Sequence, residues 1–288
     1  MKKGVLSVVF ASAMLGATSM AFAGAYGEPE QPEELPVPAP AAAPAPEPEP
    51  VVPVRKFIGF ITDAETTRGL RAEIGTMYAA EYHPSSVGNA EATNTYAHIS
   101  YGKELWEVGA LLPPFQYVHQ NGIGDTTDFG DLRLWGKIIP LRTENFSAGG
   151  GMQITFPTAG SGLGTEGYGF KPFLTAGGLA GPVHLRGSVG YDVYADSNDA
   201  IADDAFDNVD LNFAALYPVC ENTVIRTELT WNHFADSGAD PVSIFPGVDY
   251  SIPVGSNELV LRPTLGIGLT EAPDWQIGLG IALNLPGI

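Results

Sequence analysis

The feature that most constrains this chain is a repeated alternation of apolar and polar residues with a period of two. Between Phe129 and Thr158 the chain reads as two strands joined by a tight turn. Leu132 and Leu134 fall on one face of the first strand, whereas Arg133 and Lys137 fall on the other. Such alternation is typical of strands with one apolar face, whether that face packs on a soluble core or meets lipid. The pattern therefore predicts β-sheet and leaves the surroundings of the sheet open.

The N-terminus predicts export. Two lysines precede an apolar run from Gly4 to Met20, and the small-residue sequence Ala-Phe-Ala follows at positions 21–23. A charged start, an apolar middle and a small-residue end are the three parts of a cleavable secretory signal. We therefore assign residues 1–23 as a signal peptide, with cleavage expected before Gly24.

Residues 24–54 are acidic and rich in proline, and they contain no basic residue. Proline fixes φ and removes amide donors, and the segment has no apolar set to bury. The composition predicts a disordered, extended periplasmic linker. A second hypothesis, that this linker binds the cell wall or a periplasmic partner protein, stays open. Residues 55–288 are assigned to the domain that follows.

Twelve strand-length runs follow the linker. They are predicted at Leu70–Tyr82, Ala92–Gly102, Leu105–Tyr117, Phe129–Leu141, Asn145–Pro157, Gly167–Ala180, Pro182–Tyr194, Asn208–Val219, Asn222–Phe234, Ser243–Val254, Asn257–Leu269 and Asp274–Leu285. Links after even-numbered runs are short, whereas most others are long, as at 83–91, 118–128 and 195–207. Alternating link lengths are typical of barrels with one end in the periplasm. The chain is predicted to be an all-β, transmembrane, antiparallel up-and-down β-barrel of about 12 strands, with both termini periplasmic.

Strand parity separates a charged face from an apolar one. A lysine or arginine facing lipid at the bilayer midplane costs about 2–4 kcal/mol, so the charged face is predicted to line the lumen. The candidate lumen residues are Arg71, Glu73, Arg133, Lys137, Lys171, Arg186, Asp192, Asp210, Arg226, Glu228, Asp249 and Arg262. Because both signs occur in this set, it is either a structural network of ion pairs or a solute site.

Aromatic residues on the apolar face lie near the strand ends, where amphipathic rings prefer the two membrane interfaces. The predicted girdle at the long-link end contains Tyr78, Tyr82, Phe156, Phe170, Tyr191, Trp231, Phe245 and Trp275. The predicted girdle at the short-link end contains Tyr101, Trp106, Phe146 and Tyr217. The alternative is a soluble β-sandwich with scattered aromatic residues, which would explain neither the alternation of link lengths nor the matching of strand parity with charge.

Composition excludes several classes of function. The chain has 14 basic and 33 acidic residues, a net charge of −19 that disfavours binding to nucleic acid. Cys220 is the single cysteine, and the five histidines lack metal-ligand spacing, so neither a metal nor a cofactor is predicted. His184 and Ser188 share a strand face but lie roughly 13 Å apart along it. We therefore expect no enzyme, and a lipid hydrolase using His98, His184 or His233 is a third-rank hypothesis.

Several short motifs occur in a characteristic order. These motifs are Tyr101-Gly102-Lys103-Glu104-Leu105-Trp106, Gly130-Asp131-Leu132-Arg133-Leu134-Trp135-Gly136-Lys137, Phe156-Pro157-Thr158-Ala159-Gly160 and Asp274-Trp275-Gln276-Ile277-Gly278. Their order resembles the MetA-pathway of phenol degradation family of outer-membrane barrels. The resemblance implies a monomeric barrel in outer-membrane lipid that passes small hydrophobic or aromatic solutes.

Two functions from different classes follow. The first is an outer-membrane channel through which small solutes diffuse passively, with selectivity from inward arginines and lysines. The second is a closed structural barrel whose linker at 24–54 holds a periplasmic partner. Conductance separates the two hypotheses.

Overall fold

In the computed structural model the chain forms a closed, all-β, antiparallel transmembrane barrel, which confirms the predicted fold class. The structure describes residues 63–82, 90–120, 124–159, 164, 167–195, 208–235, 238–270 and 272–287. The predicted signal peptide at 1–23 and the predicted linker at 24–54 lie outside these residues. Within them, no helix is long and apolar enough to cross a membrane.

Thirteen strands occur in the described residues. They are β1 Gly69–Tyr82, β2 Ala90–Gly102, β3 Trp106–Gln120, β4 Gly124–Asp128, β5 Leu132–Arg142, β6 Phe146–Phe156, β7 Tyr168–Ala180, β8 Val183–Ala195, β9 Asn208–Cys220, β10 Thr223–Phe234, β11 Val242–Val254, β12 Asn257–Gly268 and β13 Trp275–Leu285. The barrel closes because β1 pairs with β13 on one edge and with β2 on the other.

One position in the wall is shared by two strands. The edge of β3 that faces away from β2 pairs with β5 through Trp106–Leu111 and then with β4 through Gln116–Gln120. The wall therefore has twelve positions. The predicted link at 118–128 is wrong at both ends, because β3 continues to Gln120 and β4 spans Gly124–Asp128. Residues 121–123 lie outside the described residues. Its polar residues suggested a loop, but their backbones pair and extend the wall.

The outer surface of the wall is apolar along its length. Its exposed residues include Ile74, Val108, Leu134, Leu174, Leu211, Ile225, Leu265 and Leu279. Aromatic pairs lie near both ends, with ring centroids 5.5 Å apart in Tyr78–Trp275 and 5.8 Å apart in Tyr101–Trp106. A wall with paired backbone and apolar outer side chains suits hydrocarbon, where unpaired amides are costly.

The assignment of Phe245 to the outer girdle is wrong. Phe245 is buried inside the wall, where an added Cβ on Gly266 would lie 2.7 Å from its ring. Its parity explains the position, because Ser243 and Asp249 on the same strand are also buried. Residues separated by two or four positions in a regular strand share a face.

Rings pack over glycines on neighbouring strands inside the wall. An added Cβ on the glycine would lie 2.5–2.7 Å from the nearest ring atom in the pairs Gly75–Tyr96, Gly109–Trp135, Gly151–Phe173, Gly169–Tyr194 and Gly266–Phe245. A ring laid over a glycine covers bare backbone and fixes the pairing of the two strands. These glycines therefore make room for the inner layer of the barrel.

Substitution at one of these glycines should overpack the interior. We expect Gly75→Ala to lower the free energy of unfolding by about 1–3 kcal/mol, because the new methyl group would overlap the Tyr96 ring. Gly136→Ala is the control, since its Cβ would meet Val108 at an ordinary 3.6 Å. Urea titration of the refolded proteins measures both values. Equal losses of stability in the two variants would show that the packing of the Tyr96 ring does not require a glycine at position 75.

Candidate functional site in the barrel interior

The twelve charged residues assigned to the interior by parity are all buried or half-buried along the inner side of the wall. They fall into three groups at different places. The central cluster comprises Arg71, Glu73, Arg226, Glu228, Asp249 and Arg262; the outer cluster comprises Arg133, Lys171, Asp192 and Asp210; Lys137 and Arg186 lie nearer the short-turn end.

The central cluster is a connected set of ion pairs. Arg262 Nη1 donates to Glu73 Oε1 and Oε2 at 2.8 and 2.7 Å, and Arg262 Nε donates to Asp249 Oδ1 at 3.3 Å. Arg226 donates to Asp249 Oδ1 at 2.8 Å and to Glu228 Oε1 at 3.0 Å. Three arginines thus face three carboxylates, and the group has no net charge.

Little space remains within this cluster. Each of its six residues is at most 4% exposed. Tyr96 donates its hydroxyl to Glu73 Oε1 at 3.0 Å, and the adjoining cavity between Tyr96, Arg226 and Arg262 measures about 10 Å³. Such a volume holds about one water molecule. The central cluster therefore fills the lumen along β1, β2 and β10–β13.

The outer cluster places one lysine between two carboxylates near the long-loop end. Lys171 Nζ forms ion pairs with Asp192, at 3.1 Å, and with Asp210. Asn212 Nδ2 donates to the second oxygen of Asp210 at 2.7 Å. Arg133 is close enough for its charge to act on Asp192. This cluster lies along β5 and β7–β9, which is the side of the wall away from the central cluster.

A segment before the first strand enters the lumen, and the sequence did not indicate it. We call Asp63–Thr67 the lumen segment. Four of its five residues are at most 4% exposed, and Ala64 is fully buried. Lys137 Nζ donates to the backbone carbonyls of Asp63 and Glu65. The segment is therefore packed inside the wall near the short-turn end.

The lumen segment crosses the barrel from one wall to the other. Thr67 lies next to the start of β1, whereas Asp63 Oδ1 pairs with Arg186 Nε on β8 at 3.2 Å. In the twelve-position wall β8 is six positions from β1, directly opposite. Five extended residues span at most about 16–18 Å, which suits a single crossing of the mouth.

Wall residues on several strands hold this segment. Arg186 Nη2 and Arg142 Nη2 pair with the two oxygens of Glu65 at 3.4 and 2.5 Å. Thr67 donates its hydroxyl and its amide to the two oxygens of Glu107, at 2.7 and 3.1 Å. Glu107 also pairs with Lys137 at 3.2 Å. We call Glu107, Lys137, Arg142 and Arg186 the mouth cluster.

Part of this arrangement had a sequence signal. Glu107 lies between the outward Trp106 and Val108, so parity already places its side chain inward. No sequence signal marked Asp63 and Glu65, because they belong to no strand. Their ion-pair partners, Arg142 and Arg186, are 77 or more residues away in the sequence. Only the closed barrel brings β5 and β8 to them.

The three histidines considered for hydrolysis lie apart. His98 on β2 stacks on Trp135 with centroids 5.8 Å apart, His184 lies at the start of β8, and His233 pairs with Asp240 at 2.9 Å near the long-loop end. Ser188 Oγ accepts a hydrogen bond from Asn212 at 3.5 Å. In the part of the chain that the structure describes, no group of three or more histidine, cysteine or acidic residues is arranged to hold a metal ion.

No protein-family model matches this chain, and no curated protein matches it in sequence. The resemblance to the MetA-pathway of phenol degradation family thus stays a prediction. Among solved structures, the chain is similar to the COG4313 outer membrane channel from Pseudomonas putida F1, with 16% identity, a TM-score of 0.57 and coverage of 77% of this chain and 97% of that chain. It is also similar to the KdgM porin in complex with disordered oligogalacturonate, with 9% identity, a TM-score of 0.51 and coverage of 74% and 99%. These likenesses establish the barrel fold.

Breaking the central cluster should be costly. We expect Arg262→Met to lower the free energy of unfolding by about 3–5 kcal/mol, because Glu73 and Asp249 would each lose a buried partner. Arg142→Met is the control, since its ion pair with Glu65 is 26% exposed on both side chains and should contribute less than about 1 kcal/mol. Equal losses in urea titration would show that the central cluster is not tightly coupled.

Proposed function

We propose that this protein is an outer-membrane channel through which small solutes, hydrophobic or aromatic ones among them, diffuse passively. The observation that carries the proposal is the division of the wall, which is apolar on its outer face and charged on its inner face. A polar interior inside a membrane-suited wall is the general arrangement of a diffusion channel. The predicted signal peptide fits this location.

The proposed path runs along β6–β9, opposite the central cluster. The inward residues there include five small ones, Gly149, Thr175, Gly177, Ser188 and Gly190, beside the larger Phe173 and Tyr194. The path would pass the outer cluster at one end and the mouth cluster at the other. We propose that Arg133, Lys137, Lys171 and Arg186 act on the solute, whereas the central cluster holds the wall. Selectivity would then come from a few paired charges at the two ends.

The path can be tested by narrowing it. We expect Ser188→Phe to reduce single-channel conductance in a planar bilayer several-fold, because the ring would project from β8 into the proposed path. Val189→Phe is the control, since the neighbouring side chain faces the membrane. Equal conductance in both variants and the wild type would place the path elsewhere.

The proposed orientation puts the short turns in the periplasm. Cys220 is free and exposed at the turn between β9 and β10. We expect a membrane-impermeant maleimide to label it only after the outer membrane is permeabilised. Asp274→Cys in a Cys220→Ser background is the control, because this exposed residue lies at the opposite end and should react in intact cells. The reverse pattern would invert the orientation.

A closed structural barrel is the second candidate, and the burial of the central cluster favours it. In that case no solute would cross, and the predicted linker at 24–54 would bind the cell wall or a periplasmic partner. A refolded monomer that gives no conductance steps, in the wild type or in a variant freed of the lumen segment, would support this candidate and remove the channel.

A further inference from the structure

We propose that the lumen segment, Asp63–Thr67, is a displaceable plug, and that it occupies a binding site for small carboxylate solutes in the mouth of the barrel. The inference rests on the proposed channel function, because it names the solute class and the closing element of that channel. The site is the mouth cluster, formed by Glu107, Lys137, Arg142 and Arg186.

The segment is separate from the wall. The pairing of β1 with β2 begins at Gly69, and its pairing with β13 begins at Leu70, so Asp63–Thr67 contributes no rung to either ladder. It is held by ion pairs and by hydrogen bonds to and from wall side chains. Its release would therefore leave the hydrogen bonds of the twelve-position wall in place.

Charge explains why the segment binds there. Lys137, Arg142 and Arg186 bring three positive charges to the mouth, and Glu107 brings one negative charge. The wall alone thus has an excess of two positive charges, in a chain with a net charge of −19. Asp63 and Glu65 supply two negative charges and make the mouth neutral. Without the segment, Arg142 and Arg186 would lose their carboxylate partners, and this excess of positive charge favours the binding of other anions.

The donors suit carboxylates. Arg186 contacts the carboxylates of both Asp63 and Glu65, and Arg142 contacts the second oxygen of Glu65. Guanidinium groups present planar pairs of N–H donors that match the two oxygens of a carboxylate. A free carboxylate can therefore take the place of either acidic side chain without any change in the wall.

The surroundings also accept an apolar group. Ala64, between the two acidic residues, is fully buried, and an added Cβ on Gly177 would lie 3.2 Å from its Cβ. The space that the segment would vacate is thus partly apolar, with Gly177 on one side of it. A small carboxylic acid with a compact apolar body, such as benzoate, matches both features.

Displacement should require a moderately high solute concentration. The segment is tethered to β1, and a short tether gives an effective concentration in the millimolar range. A carboxylate with similar contacts must therefore reach about millimolar concentrations to compete with it. Such competition would couple opening of the channel to the presence of its own solute.

Single-channel recording of the full mature chain tests the plug. We expect the double variant Asp63→Asn with Glu65→Gln to stay open several-fold longer than the wild type, because both acidic anchors are lost. The control is Glu144→Gln with Glu221→Gln, which removes the same charge from exposed turns. Equal open times in the two double variants would overturn the plug.

A second measurement does not depend on conduction. In a Cys220→Ser background, Ala64→Cys places a thiol on the segment, and its maleimide labelling rate reports release. We expect sodium benzoate to raise this rate several-fold over sodium chloride at equal ionic strength, and neutral benzyl alcohol to leave it unchanged. Equal rates in all three would overturn the carboxylate site. Labelling that responds to benzoate in a protein that never conducts would retain the site and remove the channel.

Discussion

The structure depends first on pairing every backbone amide of the wall. Hydrocarbon offers no hydrogen-bond partners, so a sheet that enters it must close on itself. Here β1 closes the ring by taking β13 and β2 on its two edges. The interrupted position between β4 and β5 satisfies the same requirement, because the amide of Gly130 donates to the carbonyl of Pro113 at 2.7 Å. Proline at the adjoining part of β3 has no amide to leave unpaired.

Once the wall is closed, the interior must be neutralised and filled. Six charged residues of the central cluster do this on one side, with three arginines against three carboxylates and almost no exposed surface. Rings laid over glycines on neighbouring strands fill further space inside the wall. Burial of complete ion pairs costs desolvation energy and is tolerated when each charge has its partner. The ion pairs that make the lumen polar therefore also hold this side of the wall together.

The side of the barrel formed by β6–β9 is organised differently, and the proposed solute path lies there. Small inward residues such as Gly177 and Ser188 lie there among larger ones, and the charged residues pair with one another or with the lumen segment. At the mouth, the lumen segment, Asp63–Thr67, is bound by wall side chains rather than by strand pairing. An element that is ordered by a few ion pairs can exchange with a ligand of the same chemistry, whereas a strand of the wall cannot. Closure and selectivity would then share one set of contacts.

The sequence by itself determined twelve of the thirteen strands and the inward parity of residues such as Arg226 and Asp249, because a two-residue repeat and alternating link lengths are local properties. Parity also implied inward positions for Glu107 and Phe245, although composition near the strand ends suggested an outer place for Phe245. Only the tertiary structure decided which charges meet and that Asp63–Thr67 crosses the lumen. Those contacts join β1 to β8 across the closed ring, and nothing in a local pattern encodes the far side of a barrel.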